Sequence, residues 1–270
     1  MTDDDIRLPP TSAVTDESST FLDLGDLAPV LPSPSQAEPD DVIEGIPCEV
    51  VDPTVLAAIA RNLGEVPANL VRVAASYTTR QNQVEPAVLV LYPLRDCTND
   101  YKKHHRATAE PFPTMYWLAS PELHERVSLL EGAGFVTRFT DRLAASPKHL
   151  QVRLHHVVYI FDQVFSMSGW QAMTDMHAAY ASERWALLTP ADRRVVEKKQ
   201  WVRALQTVGI AGIRNPASVK CLHTHYAHFL ATGHNLVGAW VHQALDQAES
   251  ATEAATESAT ESATESAGAK

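Results

Sequence analysis

The fold class predicted from the sequence is α+β: a mostly helical single domain with a small N-terminal β-hairpin or three-stranded sheet. Three observations carry this. Two β-rich runs, LVRVAASYT (70–78) and PAVLVLYPL (86–94), are joined by the seven mostly polar residues TRQNQVE, longer than a usual hairpin connection. From Ser120 onward apolar residues recur at helical spacing, with caps and stops at the expected places. Strands and helices do not alternate, which argues against a doubly wound parallel sheet.

Taken in order, Asp52-Pro53 opens a short helix (VLAAIARNL) that Gly64 ends, since Asp accepts from free N–H groups and Pro suits the first helical position. The two strands follow. Residues 95–111 read as a polar loop with a basic cluster, Lys102, Lys103, His104, His105 and Arg106, which as a surface feature needs no function. FPTMYWL (112–118) reads as a third, buried strand. Ser120-Pro121 caps the next helix, which stops at the glycines of GAG, and VTRFTDRLAA supplies another. Beyond 148 a stripe of Leu150, Leu154, Val157, Val158, Phe161, Val164 and Phe165 predicts a core-facing helix that bends at Ser168-Gly169. WQAMTDMHAAYASERWALL continues it, Thr189-Pro190 caps a further helix, and a last one begins near Asn235.

Both ends read differently. Residues 1–50 are rich in Pro, Ser, Asp and Glu, and residues 250–270 repeat Ala-Thr-Glu-Ser/Ala with period four, so both are predicted to be disordered tails flanking a domain over 51–249. The net charge of −11 belongs to them. They hold 16 of the 33 acidic residues and two of the 22 basic ones, which leaves 17 against 20 and a formal +3 for the domain. Without a concentrated basic stripe this charge carries no nucleic-acid signature, and a nucleic-acid partner is not expected. Three widely spaced cysteines, Cys48, Cys97 and Cys221, argue against a disulfide framework and for a reducing compartment. With no apolar run near the ~20 residues of a spanning helix and no secretory signal at the acidic start, a cytoplasmic protein without a membrane partner is expected.

The chemistry concentrates in GIAGIRNPASVKCLHTHYAH (209–228). Asn215-Pro216 reads as a helix start, giving a helix over 216–232 on which Cys221, His225 and His228 share one face at i, i+4, i+7. Cys and His are preferred zinc ligands, so Cys221 with His225 or His228 is a candidate metal set, completed from elsewhere (His104, His105, His155, His156 or His177). His223, some 160° away at about 100° per residue, is not part of that face. Alternatively, Gly209 and Gly212 loosen the backbone before a helix N-terminus, where Arg214 and Lys220 would help hold a small anion. A Cys221 nucleophile is the weaker enzymatic reading, because a position inside a helix does little to favour the thiolate. Two bland readings stand beside these: a packed helix face with hydrogen-bonded histidines, and a helical module that binds a protein partner without chemistry.

Three blocks, IARNLGEVPANLVRVAA, PFPTMYWLASPEL with LLEGAGF, and GIAGI followed by VKCLHTHYAHFLATGHNLVG, resemble the uncharacterised bacterial and lower-eukaryote family catalogued as domain of unknown function 501. The resemblance covers residues 59–238 and implies an architecture and a candidate site, with no assigned reaction. Members tend to carry cysteine where this chain has Tyr77, and Thr-Cys-Pro where it has Ala119-Ser120-Pro121. If the family's cysteines joined Cys221 around a metal, two of them are missing here.

Overall fold

A computed structural model of the chain describes residues 43–79, 81–96, 109–145, 150–152, 165–167 and 169–268. Its architecture is α+β and mostly helical, with a three-stranded antiparallel sheet. The sheet order is β1 (Leu70–Thr78), β2 (Val84–Leu91), β5 (Tyr116–Leu118), so β2 is the central strand. Leu70 pairs with Leu91 at one end of the hairpin and Thr78 with Val84 at the other. Val88, Leu89 and Val90 pair with Leu118, Trp117 and Tyr116. A central strand covered on both faces must be apolar throughout, which explains the unbroken PAVLVLY run. Its alternation then divides the core. Val88 and Val90 belong to the large cluster shared with the later helices, whereas Leu89 and Leu91 join Ile59, Leu70 and Ala119 in a second one.

That second cluster lies under α1 (Pro53–Leu63), whose N-cap Asp52 accepts from Thr54 N–H and whose C-cap Gly64 is left-handed (φ 86°). The third strand is shorter than expected. Ala109–Pro111 (β4) leaves the sheet to pair with Leu94–Asp96 (β3), and Pro113 interrupts the run, since proline offers no ladder donor. On the other face pack α2 (Pro121–Gly132), α3 (Phe135–Ala145), α4 (Gly169–Leu187), α5 (Pro190–Lys198), α6 (Val202–Gln206), α7 (Leu222–Thr232) and α8 (Leu236–Gly268). Ser120 and Thr189 cap α2 and α5 as their sequences predict.

Two expectations need correction, and residues 1–42 of the expected N-terminal tail lie outside the described residues. Leu150–Val152 (β6) and Phe165–Met167 (β7) pair as antiparallel strands where a helix is expected, and residues 153–164 lie outside the described residues. A Val-, Ile- and Phe-rich segment suits strand as well as helix, and periodicity alone does not separate them. The basic cluster at 102–106, Cys97, His155 and His156 also lie outside the described residues. The fold takes up the chain before residue 51: Glu44 N–H and Gly45 N–H donate to the buried Asp192 carboxylate at 2.7 and 2.8 Å, beside the Tyr92 hydroxyl at 2.5 Å. Ile43 and Ile46 pack against the large core beside these backbone donors. The low-complexity repeat continues α8 as far as Gly268, since Ala and Glu favour helix and a helix satisfies its own backbone without a core. Finally, no helix begins at Asn215-Pro216. Asn215 Oδ1 accepts from Ala217 N–H and its carbonyl from Ser218 N–H, so Asn215 closes a turn and α7 starts only at Leu222. Among the described residues no helix is long and apolar enough to cross a membrane.

Candidate metal centre

The late start of α7 changes the chemistry of its first turn. Cys221 becomes the N-cap, with extended backbone (φ −93°, ψ 115°), and the helical 100° step does not apply between it and the residues that follow. His225 and His228 therefore leave it, and His223 comes beside it. Cys221 Sγ lies 3.8 Å from His223 Nδ1, which is 3.2 Å from Glu131 Oε1. All three ligand atoms lie within 4.8 Å of one another. Glu131 arrives from the last turn of α2, where its carboxylate Oε1 also accepts the first N–H of α7, from Leu222, at 2.6 Å.

These separations suit one tetrahedral ion. Bonds of about 2.3 Å to sulfur and about 2.0–2.1 Å to nitrogen and oxygen place S and N roughly 3.6 Å apart, and N and O roughly 3.3 Å apart. The surroundings suit it too. His223 Nε2 is 3.0 Å from the His124 carbonyl and 3.1 Å from Ser128 Oγ, while the Ser128 hydroxyl itself donates to that carbonyl. A proton on Nε2 satisfies this arrangement and leaves the Nδ1 lone pair for the ion, the usual way a ligating histidine is oriented. Burial works against an imidazolium at His223, but the Cys221 sulfur, the His124 carbonyl and Glu131 outweigh it and hold the pKa up at about 9. Burial likewise pushes the Cys221 thiol up, and hydrogen bonds from His223 and Thr224 bring it below its ordinary value. Without an ion, the corner thus favours an imidazolium beside a thiolate-prone sulfur.

The remaining predicted ligands are placed elsewhere. His225 and His228 are buried in the large core between α4 and α8, and Asn235 fixes both. Asn235 Oδ1 accepts from Gly238 N–H at 2.8 Å, capping α8, and from His225 Nδ1 at 3.3 Å. Its amide donates to His228 Nδ1 at 3.1 Å. Gly238 allows the close approach this needs, because a Cβ there would stand 2.5 Å from the His225 carbonyl oxygen. Burial lowers His225 to about 3, His228 to about 4 and His177 to about 4, so all three are neutral imidazoles.

The anion reading loses its helix start. Gly209 is buried, and its function is steric: a Cβ would come within 2.6 Å of His177 Nδ1. Gly212 (φ 72°) turns the exposed loop. Arg214 and Lys220 are exposed, and the first N–H of α7 is already taken by Glu131. Inside the protein, α4 holds this loop: the fully buried Arg184 donates to the carbonyls of Leu205, Val208 and Pro113, and His177 Nδ1 accepts from Ile210 N–H.

The family model described as a protein of unknown function, DUF501, matches residues 77–160 and 167–243. This chain belongs to the DUF501 family. No curated protein and no solved structure matches it. Within the DUF501 span, Tyr77 and Ser120, the two positions where the resemblance implies cysteine, do not converge on Cys221. Ser120 opens α2 and Glu131 closes it, roughly 16 Å apart at 1.5 Å per residue. Ser120 Oγ instead accepts from Leu123 N–H, and the Tyr77 hydroxyl donates to Glu122.

Sequence reasoning passed over Glu131 and His223. Glu131 did leave a signal: a carboxylate in the last turn of a helix faces the negative end of its dipole and is better placed near a cation or a helix N-terminus.

Proposed function

We propose that this DUF501 protein binds a zinc ion through Glu131 Oε1, Cys221 Sγ and His223 Nδ1, leaving a fourth position for water or a substrate atom. The convergence of three different ligand atoms within 4.8 Å, with the far nitrogen of His223 already anchored, carries this reading. A thiolate, an imidazole and a carboxylate together favour zinc over hard cations. Among the described residues the corner supplies three protein ligands, the number found in catalytic rather than structural zinc sites, and metal-assisted hydrolysis is the reaction class it would serve. A single domain working in the reducing cytoplasm, where Cys221 stays a thiol, accords with this.

Metal analysis of untagged protein tests it. Stoichiometric zinc is expected in wild type and in His225→Gln, and is lost in Glu131→Gln, Cys221→Ser and His223→Ala. A folded wild-type protein that takes up no zinc from a stoichiometric supply would end the proposal. The N-cap position of Cys221 supports a second reading, a reactive thiol. Alkylation of metal-free protein much faster than of a free thiol, with the excess lost in His223→Ala, would favour it.

A further inference from the structure

The buried histidines between α4 and α7 leave two hydrogen-bonding atoms unanswered. His177 Nε2 and His225 Nε2 are both fully enclosed and have no partner among the described residues, although the residues are only 6% and 0% exposed. Their roles follow from their other nitrogens. Ile210 N–H can only donate, so His177 Nδ1 accepts and, in the neutral ring, Nε2 carries the proton. Gly238 N–H likewise fixes Oδ1 of Asn235 as an acceptor, so His225 Nδ1 must donate to it and His225 Nε2 is a bare lone pair. One orphan is therefore a donor and the other an acceptor, on neighbouring rings with centroids 6.0 Å apart.

Buried polar atoms are nearly always satisfied, and ordered water commonly supplies the missing partner. We propose that the His177–His225 pair forms an internal site for one small neutral guest that both accepts and donates, namely a single water molecule held between the two Nε2 atoms. The site is distinct from the Glu131–Cys221–His223 corner. A metal does not meet its chemistry, since the His177 nitrogen that faces it bears a proton. Gly209 is part of the construction, because any side chain there would displace the His177 ring.

Nuclear magnetic resonance of the full chain, labelled with 15N-histidine, tests this. The expected result is protonated Nε2 at His177, protonated Nδ1 at His225, and cross-relaxation between the His177 Hε2 proton and a long-lived water. In His225→Phe, or in His225→Leu if the first variant does not fold, that water signal should disappear while the Nε2–H tautomer of His177 persists. Reversed tautomers would overturn the inference. So would a scalar coupling between the two Nε2 nuclei, which marks a direct hydrogen bond without a guest. A zinc-induced shift of His225 Nε2 in the Cys221→Ser protein would overturn it in favour of a metal.

Discussion

His223 and His225 stand two residues apart on α7, yet the pKa of one is held at about 9 and that of the other is pushed to about 3. The first lies at a half-buried corner where a carboxylate, a sulfur and a carbonyl converge on it; the second is wholly inside, bonded to a neutral amide. The difference teaches that burial alone makes a histidine a neutral packing element. Partial burial with charged or polarisable neighbours makes it a ligand or a base. If so, damage at the interior end should cost stability and spare metal binding, and damage at the corner should do the reverse.

The largest effect is expected at Asn235. Asn235→Ala removes the cap of α8 and strands two buried imidazoles, for a combined loss of about 3 kcal/mol or more in denaturant unfolding. A loss below about 1 kcal/mol would show that the interior end is not held by this hub.

Acid should act on the same end. His177, His225 and His228 have folded pKa values of about 4, 3 and 4, all below the unfolded value of about 6.5. Below that value the unfolded chain takes up protons that the native state refuses. Their contribution is thus complete above pH ~6.5 and is lost as pH falls towards 3–4, by up to about 1.4 kcal/mol per pH unit for each histidine. Urea titrations at pH 7, 6 and 5 check the slope, which should flatten in a His177→Phe, His225→Phe double variant. An unchanged slope would separate acid sensitivity from these residues.

Gly209→Ala should cost about 1–3 kcal/mol, as crowding of a packed interior does, because the new methyl group collides with the His177 ring. Metal content should stay at the wild-type level. Zinc lost together with stability in this variant would mean that the two ends are coupled.

The smallest effect on stability belongs to the corner. Glu131→Gln keeps an acceptor for Leu222 N–H, so the metal-free proteins should unfold within about 1 kcal/mol of each other. Zinc at a hundred times its dissociation constant should then stabilise wild type by about 2.7 kcal/mol and leave the variant where it was. Equal stabilisation of both would remove Glu131 from the ligand set.

Much of the fold was legible in local chemistry. Asp52-Pro53, Ser120-Pro121 and Thr189-Pro190 each cap the helix their residues announce, and LVRVAASYT forms β1 with the predicted bounds. These signals act within a few residues, so a sequence carries them whole. The Cys- and His-rich segment was legible as the place to look for a candidate site, since it holds both Cys221 and His223.

Its grouping was decided by the tertiary structure. Asn215-Pro216 suits a turn as well as a helix start, and the choice sets whether Cys221 faces His225 or His223. Glu131 joins them across about ninety residues, because α2 ends where α7 begins. Asp192 reaching back to Glu44, and Asn235 reaching to His225 and His228, have the same origin. The sequence by itself determined the capped helices α1, α2 and α5, the hairpin and the residue types available for a site. Which side chains meet was settled only by packing, because hydrogen bonds and metal ligation depend on distance in space, and local patterns carry no record of that distance.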